Sequence, residues 1–287
     1  MKTAVITGAT SGIGLAVAKE LAARDTAVIG VGRSEAKCEN AKALIEKSAP
    51  GAKVKFMCGD LSRQADVNRV AGEIGRHLDK EHEGRLDALI NNVGGICAWY
   101  TTTPEGYETQ FALNHLAGFL LTHRLMPYLQ SAKGRMMLTG SGSHKYMKVR
   151  WKDIMFSKRY STLMAYKQSK LCNMLFASEF NRRYLKRGVR AYVVDPGLVN
   201  TDIGSKGTNG FLSWFWDKRK QHGEKPEVAA QTYAYLVKKE PTPQGLYYYQ
   251  CREAKYSRQA AIEADAKRLF DLSEQLCGIA YEGGETA

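Results

Sequence analysis

The chain has 287 residues, is 44% hydrophobic and 25% charged, and carries a formal net charge of +13. With 27 glycines and seven prolines it is neither low-complexity nor collagen-like, and no apolar run reaches the roughly 18 residues that read as a membrane-spanning helix. Its six cysteines are scattered with no C-x-x-C pair, which excludes a patterned metal site or disulfide framework. The charge implies attraction to something anionic: nucleic acid, a membrane surface or a phosphorylated small molecule. The strand pattern begins at Thr3-Ala4-Val5-Ile6, leaving no room for a signal peptide, so the expected compartment is the cytoplasm.

Short apolar runs rich in β-formers alternate with longer helical patterns. Strand 3–8 leads into a helix through residue 21, strand 27–32 into helix 34–48, and strand 53–58 into a polar helix to 82. Strand 86–91 precedes a long helix over 104–131, and strand 135–139 precedes an irregular, basic and aromatic stretch at 142–161. Helix 163–185, strand 189–195, a long loop at 197–223, helix 227–238, strand 245–249 and helix 259–276 complete the pattern. Strict alternation means parallel strands with helical crossovers. No repeat or linker divides the chain, so residues 1–287 are expected to form a single doubly wound α/β domain. About seven parallel strands would carry helices on both faces.

Strand one runs into Thr7-Gly8-Ala9-Thr10-Ser11-Gly12-Ile13-Gly14, followed by a helix. Glycines let the backbone approach a pyrophosphate, and the helix start offers free N–H groups to the anion. The spacing is G-x-x-x-G-x-G rather than G-x-G-x-x-G, in the strand–turn–helix context of a Rossmann domain. An NAD-preferring site would place Asp or Glu at the end of strand two. Here Arg33 stands 19 positions after Gly14. A planar, permanently charged guanidinium suits a 2′-phosphate, whereas Lys37 one turn later reads as solvated.

Asp60-Leu61 and Asn91-Asn92-Val93-Gly94-Gly95 end strands three and four, where open α/β sheets bind ligands. Each of these polar residues reads equally as an Asx turn. Tyr166 and Lys170 stand at i and i+4 and so share a helix face. A lysine cation near a phenol favours phenolate and lowers the tyrosine pKa from about 10, which fits acid–base work near neutral pH. Ser141 follows a strand end. Asn114 sits in an apolar helix face, where its low helix propensity makes it a candidate for a functional hydrogen bond.

In this order, T-G-x-x-x-G-I-G, D-L, N-N-x-G, Asn114, Ser141, Y-x-x-x-K and Asp195-Pro196-Gly197-Leu198-Val199-Asn200-Thr201, the chain resembles the short-chain dehydrogenase/reductase family over residues 3–201. It is most similar to the retinol-dehydrogenase-like branch, which also contains the light-dependent protochlorophyllide reductases. Arg33, the 25-residue gap from Ser141 to Tyr166, and the phrase from Tyr166 to Phe176 carry that likeness. Gly140 stands where a second serine is frequent, and Val93 replaces the usual alanine. Of Ser141 and Ser143, Ser141 is favoured as the one facing the substrate.

The resemblance implies an NADP(H)-dependent oxidoreductase working on a carbonyl or alcohol. By it, Tyr166 exchanges the proton with the substrate oxygen and Ser141 hydrogen-bonds the same atom. Lys170 lowers the tyrosine pKa and holds the nicotinamide ribose, and Asn114 anchors a water chain reaching Lys170. The implied cofactor contacts are Gly8, Thr10, Ser11, Gly12, Ile13, Gly14, Arg33, Asp60, Leu61, Asn91, Asn92, Gly94, Tyr166, Lys170, Pro196, Gly197, Val199 and Thr201. No metal is expected, and the oligomeric state stays open between monomer and homo-oligomer.

The alternative is an NADPH-binding sensor without turnover, which would have no reason to keep Asn114, Ser141, Tyr166 and Lys170 together. Nucleic acid is not the expected partner, because the basic stretches flank the candidate catalytic residues. Substrate choice is expected in segments 142–161 and 198–223. Within 211–216, Phe211, Leu212, Trp214, Phe215 and Trp216 precede Lys218-Arg219-Lys220. That stretch reads as core packing, or as a lid over a bulky hydrophobic substrate such as a steroid, retinoid or long-chain aldehyde or ketone, with peripheral membrane contact.

Overall fold

A computed structural model of the protein describes residues 1–199 and 223–282. Thr201 and the aromatic segment 211–216 lie outside the described residues. The strands are β1 (Lys2–Thr7), β2 (Thr26–Gly32), β3 (Val54–Cys58), β4 (Ala88–Asn91), β5 (Arg135–Thr139), β6 (Arg190–Val194), β7 (Tyr247–Tyr249) and β8 (Arg252–Glu253). They form one sheet in the order β3-β2-β1-β4-β5-β6-β7-β8. The seven expected strands pair in parallel, and the short β8 adds to β7 antiparallel. The order reverses at β1, between its neighbours β2 and β4. In doubly wound sheets that switch point opens a crevice at the strands' carboxyl ends.

Helices cover both faces, so the central strands are buried on both sides and read as continuous apolar runs. Val5, Ile29, Leu89 and Met136 face one core with helices Gln64–Glu81, Ala117–Arg124, Thr162–Tyr184 and Glu263–Cys277. Ala4, Ile6, Val28, Ile90 and Met137 face the other, with helices Gly12–Ala22 and Pro226–Lys238. No helix among the described residues is long and apolar enough to cross a membrane.

The helix expected over 104–131 is shorter and interrupted. Its start is delayed to Thr109 because residues before it form a turn through Gly106, closed by Thr103 N–H donating to Tyr107 O. Glu108 then caps the helix, accepting from the backbone N–H of Gln110 (2.9 Å) and Phe111 (2.7 Å). The chain breaks at Leu125, ahead of a separate helix Met126–Ala132 with Pro127 in its first turn. Between these ends, Ala112–Leu116 is π-helical. Such single π turns occur often at functional sites, and this one carries Asn114.

The irregular stretch 142–161 is not loose. Met147, Val149 and Phe156 enter the core. Gln168, on the long helix, accepts from Arg150 N–H at 2.8 Å and donates to Ile154 O at 2.8 Å. One side chain thereby holds two points of the segment.

Candidate active site

The turn after β1 is held against its neighbours by short polar contacts. Thr7 Oγ1 accepts from the backbone N–H groups of Asn92 and Val93, both at 2.9 Å. Asn92 Nδ2 donates to Thr7 O at 3.0 Å. Gly8 has φ +68°, a conformation that favours glycine. A Cβ at Gly14 would lie 2.2 Å from Gly8 O, which is backbone and cannot yield. Ser11 makes no side-chain cap, and no acidic residue stands in the first turn of helix Gly12–Ala22. The amino end of that helix is therefore open to an anion. Ile13 is buried, so only its backbone is suited to such a contact. This cradle fits a dinucleotide pyrophosphate. Gly14→Ala is expected to destabilise the protein by about 1–3 kcal/mol through overpacking and to weaken dinucleotide binding; thermal melts and a cofactor titration check both.

Thr10 reaches the end of β2, one residue ahead of Arg33. The Thr10 methyl would lie 2.4 Å from a Cβ at Gly32, the residue before Arg33. Arg33 and Lys37 are both exposed. The Asp60 carboxylate closes an Asx turn, accepting from Ser62 N–H (3.1 Å) and Ser62 Oγ (2.8 Å). Asp60 N–H in turn donates to Asp66 at 3.0 Å. Leu61 is buried in the core, which leaves its backbone for a ligand.

Asn91 offers a ligand its backbone rather than its side chain. Its side chain turns into the protein, donating to Thr122 Oγ1 at 3.1 Å and packing where a Gly118 Cβ would stand. Adjacent strand residues point to opposite faces, so Asn91 and Asn92 cannot both face the glycine turn. Asn92 does, and Asn91 pins β4 to the helix Ala117–Arg124.

Beyond β4, a Cβ at Gly94 would lie 3.2 Å from Asn114 Oδ1 and 3.6 Å from Lys170 Nζ. Asn114 Oδ1 accepts from Gly95 N–H at 2.8 Å, and its Nδ2 donates to Gly95 O and to Ser169 Oγ, both at 3.0 Å. Ser169 Oγ donates to Tyr166 O at 2.8 Å. Asn114 thus ties the loop after β4 to the turn of helix that holds Tyr166. Lys170 is 4% exposed and donates to Thr139 O at 2.9 Å, at the end of β5. Its ammonium lies 5.5 Å from the centre of the half-buried Tyr166 ring. Burial pulls the lysine down from its ordinary value to about 8, and the nearby Asp195 carboxylate opposes that shift. Ser141 follows Thr139 by two residues and accepts from Ser143 N–H at 3.2 Å. The ends of β4 and β5 and two helices therefore bring Asn114, Ser141, Tyr166 and Lys170 to one region.

The segment after β6 completes that end of the sheet. Asp195 accepts from Gly197 N–H at 2.9 Å and from Tyr247 OH at 2.5 Å. Gly197 has φ +73°, with Tyr249 against it. Pro196 and Val199 are half-buried, and Val199 bridges to Glu224. Three supports escaped the sequence reading. Ser169 links Asn114 to Tyr166. Asp195 balances Lys170. Glu108, with its helix cap, also takes a hydrogen bond from Tyr160 OH at 3.2 Å. Only Glu108 had a signal: an acidic residue just ahead of an apolar helical run.

The family pattern for the short chain dehydrogenases matches residues 2–209. Mouse retinol dehydrogenase 12 is 34% identical over 284 residues, covering 98% of this chain and 88% of the relative. Human retinol dehydrogenase 14 is 33% identical over 304 residues, covering 97% and 87%. Among solved structures, an uncharacterised protein from Mycobacterium paratuberculosis superposes with TM-score 0.77 at 28% identity, covering 98% of this chain and 95% of that one. An alcohol dehydrogenase from Thermococcus sibiricus, complexed with 5-hydroxy-NADP, has TM-score 0.66 at 20% identity, covering 89% and 100%.

Proposed function

Since the chain belongs to the short-chain dehydrogenase family, we propose that it is an NADP(H)-dependent oxidoreductase that interconverts a bulky hydrophobic alcohol with its aldehyde or ketone. The observation that carries this reading is the convergence of Lys170 Nζ and Asn114 Oδ1 at Gly94, with the Tyr166 ring beside the buried ammonium. A buried lysine cation in a chain with a dinucleotide cradle is costly unless it works.

The roles are those that the family pattern implies for these residues. Tyr166 OH gives its proton to the substrate oxygen during reduction and takes it back during oxidation. Ser141 Oγ donates a hydrogen bond to the same oxygen as negative charge develops there. Lys170 favours the phenolate and would hold the nicotinamide ribose. Asn114, fixed on the π turn, positions the Tyr166 helix and leads protons by water toward Lys170. When bound, NADP(H) supplies or accepts the hydride. Gly8, Thr10, Ser11, Gly12, Ile13 and Gly14 would hold its pyrophosphate, and Arg33 would hold the 2′-phosphate.

The substrate class rests on the apolar rim. Thr162 Oγ1 donates to Ala98 O at 3.0 Å, so the loop carrying Trp99 and Tyr100 meets the helix start carrying Leu163 and Met164. All four are exposed, Trp99 at 71%. Leu163 lies three residues before Tyr166, on the same helix face. An exposed apolar cluster of this kind marks a binding surface. With Lys158, Arg159 and Lys167 nearby in the chain, it suits a lipophilic substrate taken from an anionic membrane surface. Tyr160, at the end of segment 142–161, packs edge-on against Tyr100 beside this cluster, and the relatives named for retinol agree with its apolar character.

Cofactor choice tests the reading of Arg33. Wild-type protein is expected to bind NADPH more tightly than NADH by roughly 10- to 150-fold, since a charge-assisted bond to phosphate contributes about 1.5–3 kcal/mol. Arg33→Asp should erase or reverse that ratio in a fluorescence titration. Equal affinity of the wild type for both cofactors would refute the assignment.

A further inference from the structure

Two cysteines converge on Gly32 at the end of β2. In the parallel ladder, Gly30 pairs with Phe56 and Gly32 with Cys58. Residues paired in register point their side chains to the same face of a sheet. The Phe56 ring already fills the space over Gly30, at 2.5 Å from where a Cβ would stand. Over Gly32 the same space is filled by Cys38 Sγ, 2.7 Å from the Cβ position. Cys38 comes from the first turns of helix Glu35–Ser48. Cys58, the last residue of β3 and the ladder partner of Gly32, projects to that same face, which places both cysteines over Gly32. Thr10 of the glycine turn touches the same spot, and Arg33 is the next residue in the chain.

We propose that Cys38 and Cys58 are an oxidisable dithiol that closes to a disulfide under peroxide and thereby loosens the Arg33 end of the cofactor site. The functional part of this rests on the reading of Arg33 as the 2′-phosphate ligand. The chemistry needs only hydrogen peroxide as oxidant. Cys58 is half-buried and Cys38 is buried, so peroxide meets Cys58 first. The Cys58 sulfur attacks one peroxide oxygen, the O–O bond breaks, and a sulfenic acid and one water result. The Cys38 sulfur then attacks the Cys58 sulfur. The S–S bond forms, the S–O bond breaks, and the hydroxyl leaves as a second water with the Cys38 proton. Two thiols lose two electrons and one peroxide gains them. Burial and the neighbouring Cys58 push the Cys38 thiol up to about 11, so the second step is slow at neutral pH. The pair responds to sustained oxidant rather than turning over.

An S–S bond is about 2.0 Å long, so closure draws the start of helix Glu35–Ser48 toward β3. Arg33 and Ser34 lead directly into that helix and move with it. The 2′-phosphate contact is the one displaced, which predicts a loss of about 10-fold in NADPH affinity.

The full chain is treated with hydrogen peroxide, digested without reduction, and mapped by mass spectrometry. The expected product is a peptide linking Cys38 to Cys58, lighter by two hydrogens than the separate thiols. NADPH titration of the oxidised protein should show the weakened affinity, restored by dithiothreitol. Cys38→Ser and Cys58→Ser should each bind NADPH normally before and after peroxide. If the two cysteines stay reduced, or oxidise separately without linking, the dithiol is refuted. If the linked protein binds NADPH as tightly as the reduced protein, the effect on the cofactor is refuted. The linkage is read by mass alone, so failure of the Arg33 assignment would appear separately, as equal NADPH and NADH affinity in the reduced wild type.

Discussion

Tyr166→Phe is expected to bind NADPH almost as wild type does and to lose about 10²-fold or more in turnover, the usual range for removing a general acid being 10²–10⁴. The substitution keeps the ring and removes only the hydroxyl. Asn114, Ser169 and Lys170 keep their bonds, because Ser169 Oγ meets the Tyr166 carbonyl rather than its phenol. A fall in kcat with NADPH affinity unchanged is thus the expected pattern. A variant with full activity would remove Tyr166 from the chemistry.

Lys170→Met should separate activity from stability. Turnover falls, because no cation remains near the phenol, and cofactor affinity falls with it. The cofactor-free protein, by contrast, should become more stable at pH 7. Burial holds the wild-type lysine at about 8, below its ordinary value of 10.5. Between these values the unfolded chain binds more protons than the folded one, so stability rises with pH across that window. Below about pH 8 the full penalty is present, on the order of 3 kcal/mol. Methionine removes the charge while keeping an unbranched chain of similar length, although the bond to Thr139 O is lost. Denaturant melts should show the variant gaining most near pH 7 and losing its advantage toward pH 10. The same titration predicts that wild-type reduction rates decline above about pH 8, as Lys170 gives up its proton. A variant less stable than wild type at pH 7 would contradict the reading of Lys170 as a strained cation.

The parts of the fold that were legible in the sequence are those whose signal is local. Parallel strands buried on both faces read as apolar runs, and Tyr166 and Lys170 share a face by helical spacing alone. The missed features depend on partners far away in the chain. The helix starts at Thr109, not near Pro104, because Glu108 caps it and Thr103 closes a turn ahead of it. The π turn around Asn114 leaves no pattern in the residues themselves, although an asparagine in an apolar face marked the place. Asn91 reads like its neighbour Asn92 until the alternation of a strand sends the two to opposite faces. The balance of Lys170 by Asp195 joins residues 25 apart in sequence, from a helix and a strand end, and nothing in either stretch announces it.

Hydride transfer by the wild-type protein tests the central claim most directly. NADPH consumption is measured against a panel running from acetone-sized ketones to long-chain aldehydes, steroid ketones and retinoids, with product identified for each. Alcohol is expected to form in step with NADPH oxidised, fastest with the bulky hydrophobic carbonyls and about 10²-fold or more slower in Tyr166→Phe. Tight NADPH binding with no turnover of any carbonyl, nor of the matching alcohols with NADP⁺, would contradict it and leave a cofactor-binding protein without chemistry.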